Sequence, residues 1–286
     1  TQRPDENLIT HIGKLKKGTL RVGDSVHLKV ETNTRRATEA NHSATHLLNA
    51  ALHNVLGDHV KQAGSLVNPE RLRFDFTHFS RIDDHELDRI ETIANEFIQA
   101  NLPVKTSILD KEQAMKTGAH AVFDEKYSDK VRVVQMGKVS AELCGGTHVT
   151  RTGNIGLLKI LSESAVAAGV RRIEAVTGPE AVKYVKKVDH ELKKMANIFK
   201  TGPMEVAERV DKLIKTHKDL EREIEALKGK LAAKESADII KKARSFDGFQ
   251  VLATTVEASD VKSLRDFGDK IRDKIKSGVI LIGSKV

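Results

Sequence analysis

An α+β fold followed by a helical pair is predicted from three observations on the 286 residues. Apolar residues recur at helical spacing over 35–56 and alternate with period two over 71–77. Helices and strands then mix without the strict βαβ alternation of a doubly wound sheet, until residue 178, after which the pattern is helical.

Residues 8–31 read as short strands, with turn chemistry at Lys17-Gly18 and Gly23-Asp24 and the alternation Val26, Leu28, Val30. They predict the end of a small β-barrel over 1–34. From about Arg35 to Leu56 the residues Ala44, Leu47, Leu48, Ala51, Leu52, Val55 and Leu56 form one helical stripe, and Gly57 supplies a stop. After an Asn68-Pro69 turn, Leu72, Phe74 and Phe76 alternate with Arg71, Arg73 and Asp75, as in a half-buried strand. Asp83 with Glu86 makes a capping box for a second helix carrying Leu87, Ile90, Ile93, Ala94, Phe97 and Ile98, ended by Leu102-Pro103. Strands are expected at 104–109, 131–136, 139–143, 156–163 and 171–176, with a short helix at about 110–117.

Beyond Gly178-Pro179 two helices are separated by Gly202-Pro203. The second carries Val206, Val210, Leu213, His217, Leu220, Ile224, Leu227 and Leu231 in alternating steps of four and three, a coiled-coil seam. The turn is so short that an antiparallel pair over 179–246 is the simplest packing, with pairing to a separate chain as its competitor. Residues 249–282 read strand, helix, strand, too little sheet to be stable alone. With Thr1 in place of a methionine and a stop soon after Val279-Ile280-Leu281-Ile282, this predicts a fragment whose α/β domain over 247–286 is truncated.

The composition bounds the function. Lys plus Arg number 48 against 40 acidic residues, a net +8, and residues 180–245 hold 17 of the basic and 12 of the acidic side chains. Such a balance suits an anionic partner such as nucleic acid, or a solvated lysine-rich helix face. No apolar run approaches the ~20 residues of a membrane span, and the first thirty residues lack a signal-peptide pattern, so a cytoplasmic protein is expected. One cysteine, Cys144, excludes an internal disulfide framework.

His42 and His46 lie four apart on the predicted helix, which sets both imidazoles on one face with Cβ atoms ~5–6 Å apart. Among twelve histidines such a pair is a weak signal alone. Its weight rises with Cys144-Gly145-Gly146-Thr147-His148, where the lone cysteine is joined to a histidine by a glycine-bearing turn. Three imidazoles and one thiolate suit one Zn²⁺ ion in number and hardness. Ser43 follows His42 where an HExxH protease has its glutamate, so the protease reading fails. Neither G-x-x-x-x-G-K-S/T nor G-x-G-x-x-G occurs, leaving nucleotide binding unsupported. Cys144 as a catalytic thiol is the competing reading.

Asn41-His42-Ser43-Ala44-Thr45-His46-Leu47-Leu48, then Cys144-Gly145-Gly146-Thr147-His148, then Gly169-Val170-Arg171-Arg172-Ile173-Glu174, resembles the editing domain of alanyl-tRNA synthetase of the bacterial type. It is also similar to free-standing alanyl-tRNA editing proteins and, more distantly, to the editing domain of threonyl-tRNA synthetase. The resemblance implies an editing domain over 35–178, with His42, His46, Cys144 and His148 as zinc ligands and Thr45, Gln62 and Ser65 lining the pocket. It further implies hydrolysis of seryl, and of glycyl, esters from tRNA specific for alanine, and a homodimer formed through the C-terminal region of a full-length protein. The family's aminoacylation core is absent from these residues. Gly145 and Gly146 offer amides for a developing oxyanion, or merely a tight turn. Arg171 and Arg172 are candidates for phosphate contacts; adjacent on a strand, they point to opposite faces. A free-standing deacylase and a non-catalytic zinc-stabilised RNA-binding module are the alternatives.

Overall fold

The computed structural model describes all residues except 1, 6–7, 117–129, 257–260, 276 and 285–286. The chain divides into two compact units, Thr1–Val188 and Asp189–Val286. In chain order the elements of the first are β1 (Gln2–Asp5), β2 (Leu8–Thr10), α1 (Thr32–Leu56), β3 (Gln62–Val67), β4 (Leu72–Thr77), α2 (Asp84–Gln99), β5 (Val104–Asp110), α3 (Lys111–Lys116), β6 (Lys130–Met136), β7 (Ser140–Leu143), β8 (Leu158–Ala167) and β9 (Val170–Thr177). A helix α4 (Gly178–Phe199) runs across the division, and α5 (Val206–Ile240), β10 (Arg244–Phe246), β11 (Phe249–Val256), α6 (Val261–Arg272) and β12 (Gly278–Ser284) follow. The class is α+β.

The first unit is built on two antiparallel sheets, one in the order β3-β4-β9-β8 and one in the order β5-β6-β7. Its core follows the predicted stripes: Leu47, Leu48 and Leu52 of α1 meet Leu72, Phe74 and Phe76 of β4 and Ile90 of α2, all fully buried. Helix α1 begins earlier than its apolar stripe because the Glu31 carboxylate accepts hydrogen bonds from the amides of Asn33 and Thr34. The Asp83–Glu86 capping box opens α2 as its spacing requires. Strand β8 starts at Leu158 because a 3₁₀ turn over Thr152–Ile155 and Gly156, at φ 78°, occupy the preceding residues.

Two expectations fail locally. Among the described residues of the first thirty, the strands are those of the hairpin β1–β2; Val26, Leu28 and Val30 belong to no strand and are 57%, 74% and 62% exposed. Alternation alone does not make a strand, which needs a neighbour to take its amides and carbonyls and an apolar surface for its inner face. The coiled-coil seam is also uncovered. Leu213, Leu220, Ile224, Leu227 and Leu231 are all more than half exposed, and among the described residues of α5 only Val206, at its start, is buried. The two helices therefore form with the predicted break, but the seam of α5 is not buried by its neighbour.

In the second unit β11 and β12 pair in parallel, linked through α6, and β10 adds an antiparallel edge. Leu252, Phe267, Ile271 and Ile275 form its own small core. Among the described residues no helix is long and apolar enough to cross a membrane.

A buried asparagine locks α1 onto the larger sheet. Asn41, 1% exposed, donates from Nδ2 to the carbonyls of Asn68 and Pro69 and accepts at Oδ1 from the Thr177 hydroxyl. Replacing it with alanine leaves several polar groups unpaired, so Asn41→Ala is expected to lower stability by about 1–3 kcal/mol in equilibrium urea unfolding.

Candidate metal centre

The first helix places its polar face by simple periodicity. His42, His46 and Asn49 stand at i, i+4 and i+7, while Leu47, Leu48, Ala51 and Leu52 fill the core. Opposite that face, strand β7 delivers Glu142 and the chain leaves it at Cys144, whose amide still donates to the Arg132 carbonyl. The turn Cys144–His148 then folds back. One ligand atom from each of His42, His46, Cys144 and His148 lies within 4.8 Å of the others. The Cys144 sulfur is 3.4 Å from His42 Nε2 and 3.3 Å from His148 Nε2.

These residues fit a metal ion in three respects. His46 Nε2 is buried with no hydrogen-bond partner, a polar atom whose burial is costly unless something coordinates it. The turn is shaped around the ligands: a Cβ on Gly146 would lie 1.9 Å from His42 Cε1, so only glycine fits there. The donor set, three nitrogens and one thiolate, has the number and softness of a tetrahedral zinc site.

The ligands are held from behind. His46 Nδ1 donates to Glu142 Oε2 at 2.6 Å, and both side chains are nearly inaccessible. Glu142 Oε1 accepts in turn from Asn49 Nδ2 and the Ser140 hydroxyl. That arrangement fixes the tautomer of His46 and leaves Nε2 free to coordinate. Ser43 Oγ lies 3.2 Å from His148 Nδ1 and accepts from the Val149 amide, so coordination through Nε2 would leave His148 donating to the serine. Arg132 Nη1 donates to the carbonyls of Cys144 and Gly146, clamping both ends of the glycine pair.

Electrostatics agree with the geometry. Burial pushes the Cys144 thiol up, but hydrogen bonds to His148 and His42 and the nearby His46 outweigh it and bring the group to about 3. Burial alone would hold His46 neutral; in the metal-free protein the adjoining Cys144 and Glu142 instead raise it to about 10, so coordination through Nε2 displaces a proton. Burial lowers His148 below the ordinary imidazole range. Cysteine thus enters the site as the thiolate that metal coordination needs.

The other candidate residues lie on α1, on β3, in the Cys144–His148 turn and on β9. Thr45 is buried, and its hydroxyl donates to the Asn41 carbonyl one turn back. Gln62 and Ser65 are joined to each other, Nε2 donating to Oγ at 3.2 Å across a bulge at Gly64. Gly145 is exposed with nothing within 4 Å of where a Cβ would stand. Arg171 and Arg172 do leave opposite faces of β9, and each meets a carboxylate: Arg171 pairs with Glu163, and Arg172 grips Asp75 through Nε and Nη2 at 2.7 and 2.8 Å. Glu142, Asn49, Ser43 and Arg132 are absent from the residues the sequence singles out. A cleft between α2 and β8, lined by Asp84, Asp88, Glu91 and Lys159 among others, contains none of the four ligands.

Comparison with known proteins bears on this geometry. Residues 131–174, from β6 through most of β9, match the family model of the threonyl and alanyl tRNA synthetase second additional domain. The chain is 48% identical over 285 residues to the alanine-tRNA ligase of Desulfosudis oleivorans, covering 99% of this chain and 32% of that protein. The same identity holds over 282 residues for the alanine-tRNA ligase of Pelotomaculum thermopropionicum, and over 274 for that of a Polaromonas species. The chain is homologous to one part of alanine-tRNA ligases. It spans about a third of the length of these curated relatives. The family-model match contains Cys144 and His148; the other two ligands come from α1, outside it but inside the alignment to the alanine-tRNA ligases.

Two measurements test the centre. Glu142→Gln keeps the shape and removes the carboxylate behind His46, so zinc affinity in chelator competition is expected to fall about 10–100-fold. In the metal-free protein, thiolate absorbance should persist as the pH is lowered through the range where an ordinary thiolate is lost, disappearing only toward about 3. Loss of that absorbance near the ordinary thiol range would show that the imidazoles do not hold the sulfur.

Proposed function

We propose that residues 35–178 are the editing domain of an alanine-tRNA ligase, hydrolysing the ester of serine, and of glycine, on tRNA specific for alanine. The single observation that carries this reading is the meeting of His42 and His46 with Cys144 and His148 from about a hundred residues away, in a chain homologous to those ligases. In the same reading, residues 1–34 belong to a unit that precedes the editing domain, 179–246 form the helical pair and 247–286 open a C-terminal domain.

The chemistry asked of such a domain is discrimination by a hydroxyl. Serine is alanine with one hydroxyl added, and an apolar pocket separates such a pair by only ~1–3 kcal/mol. A second pocket that hydrogen-bonds the hydroxyl accepts the seryl ester and rejects the alanyl ester, which would leave its polar groups unpaired. Thr45, Gln62 and Ser65 supply the donors and acceptors. The hydrogen bond between Gln62 and Ser65 holds both side chains on one side of β3, where the substrate hydroxyl can exchange into their pairing.

His42, His46, Cys144 and His148 are the residues that would hold zinc. A bound zinc ion would supply a fixed positive charge that orients the terminal ribose and ester. Four protein ligands make a closed sphere of the structural kind, so positioning is preferred over activation of water. The chain's own contribution is geometric: Glu142 and Ser43 orient the imidazoles, and Arg132 fixes the glycine turn, whose Gly145 and Gly146 amides are the donors offered to the developing oxyanion.

Incubation with seryl-tRNA specific for alanine should release serine, and His42→Ala and Cys144→Ala should abolish that release. Thr45→Val with Gln62→Ala should narrow the preference for seryl over alanyl ester by at least about tenfold, the equivalent of one lost hydrogen bond. A protein that binds RNA and zinc but releases no serine would be the non-catalytic module instead.

A further inference from the structure

Beyond the metal centre, the end of the larger sheet carries a cluster of three rings, in which His59 and Phe79 are exposed, His78 is half-buried, and the His78 and Phe79 centroids are 6.4 Å apart with planes tilted by 39°. His59 stands before β3 and His78 and Phe79 follow β4. His59 Nε2 lies 2.9 Å from His78 Nδ1, and their ring centroids are 5.2 Å apart. The Phe79 ring stacks on His59 with centroids 5.4 Å apart and planes inclined by 18°. This phenylalanine is 87% exposed, although large apolar rings are ordinarily drawn into cores.

The cluster is anchored through the strands that carry it. The Thr77 hydroxyl donates to the His59 carbonyl, the Lys61 amide donates to Thr77 Oγ1, and the His78 amide donates to the Gly169 carbonyl at the β8–β9 turn. Phe79 is thus propped by an imidazole beneath it, with its outer face bare. Burial, then the neighbouring His59, lowers His78, which keeps that ring neutral at physiological pH. Lys61 and Arg81, each two residues along the chain from a ring of the group, are exposed and make no ion pair among the described residues.

We infer that His59, His78 and Phe79 form a stacking platform for an unpaired base of a single-stranded RNA segment, flanked by Lys61 and Arg81 as phosphate contacts. The near-parallel His59–Phe79 pair, left open on the outer face of Phe79, is what a nucleobase stacks on, and such contacts tolerate any base because each has a π face. Two cations without a carboxylate partner favour a polyanion over an apolar protein surface. The occupant rests on the proposed action on tRNA, since it supplies the unpaired strand; His59 lies three residues before Gln62 of the proposed pocket.

The test uses the whole chain and a short fluorescein-labelled single-stranded oligoadenylate. Because the chain contains no tryptophan, Phe79→Trp introduces one emitter at the platform, and its emission should fall as RNA is added. Phe79→Ala should weaken binding about tenfold by anisotropy, with Phe79→Leu equally weak and Phe79→Trp near the parent. The exposed position lets all three keep the parent melting temperature. Unchanged affinity in Phe79→Ala, together with unchanged indole emission in the Phe79→Trp variant, would overturn the platform, as would absence of oligoadenylate binding by the parent. Serine release from seryl-tRNA, measured separately, decides the deacylase reading. A positive release with no effect at Phe79 ends the platform alone, and the reverse pattern ends the deacylase alone.

Discussion

The contact between His46 and Glu142 is the constraint on which the centre depends. It joins α1 to β7 across nearly a hundred residues of sequence, and both side chains are buried. An ionised carboxylate in such a place is costly unless paired and hydrogen-bonded, and here it accepts from His46, Asn49 and Ser140 together. The cost of burying it is offset only when helix and strand are in register. The same register aligns His42 with the turn and brings Gly146 against its ring. The centre is therefore less a cluster placed on a fold than the point where two layers are required to meet.

That requirement explains what the sequence revealed about the site and what it withheld. The meeting of the four candidate ligands was legible because metal ligation restricts residue type and spacing at once: two histidines four apart on a helix, and a cysteine and histidine around glycines. Glu142, Asn49, Ser43 and Arg132 were not. Their residue types are common, and their roles depend on what folding places opposite them. Asn49 was within reach in principle, as it extends the His42–His46 face by one further turn. Arg171 and Arg172 show the opposite limit: alternation gave their opposite faces correctly, but only the tertiary pairing brings Glu163 and Asp75 to them.

The fold was legible wherever periodicity and burial agree. Helices α1 and α2 and strand β4 carry unbroken apolar stripes, and the capping box marks the start of α2. Strand β3 carries no such stripe, because its sequence Gln62-Ala63-Gly64-Ser65-Leu66-Val67 has no alternating large apolar residues. The alternation at Val26, Leu28 and Val30 and the seam of α5 are true patterns without the opposing surface that would turn a pattern into buried structure. Periodicity reports what a segment can bury, and only a partner decides whether it does.

The disposition of cations also bears on how a polyanion would meet this unit. Arg171 and Arg172 have their guanidiniums against carboxylates, so lending either to a phosphate means sharing or breaking a pair that already neutralises it. A cation with no such partner gives its whole charge to an incoming phosphate and releases a counterion as it does so. Lys61 and Arg81 are in that condition, each two residues along the chain from a ring of the His59, His78 and Phe79 group. Charge draws a strand from a distance without regard to sequence, and ring faces hold the bases once it arrives, while a hydroxyl-reading pocket is needed only for the final ester. In the proposed reading, attraction, grip and selection are separate tasks assigned to separate residues, and each is open to weakening without abolishing the others.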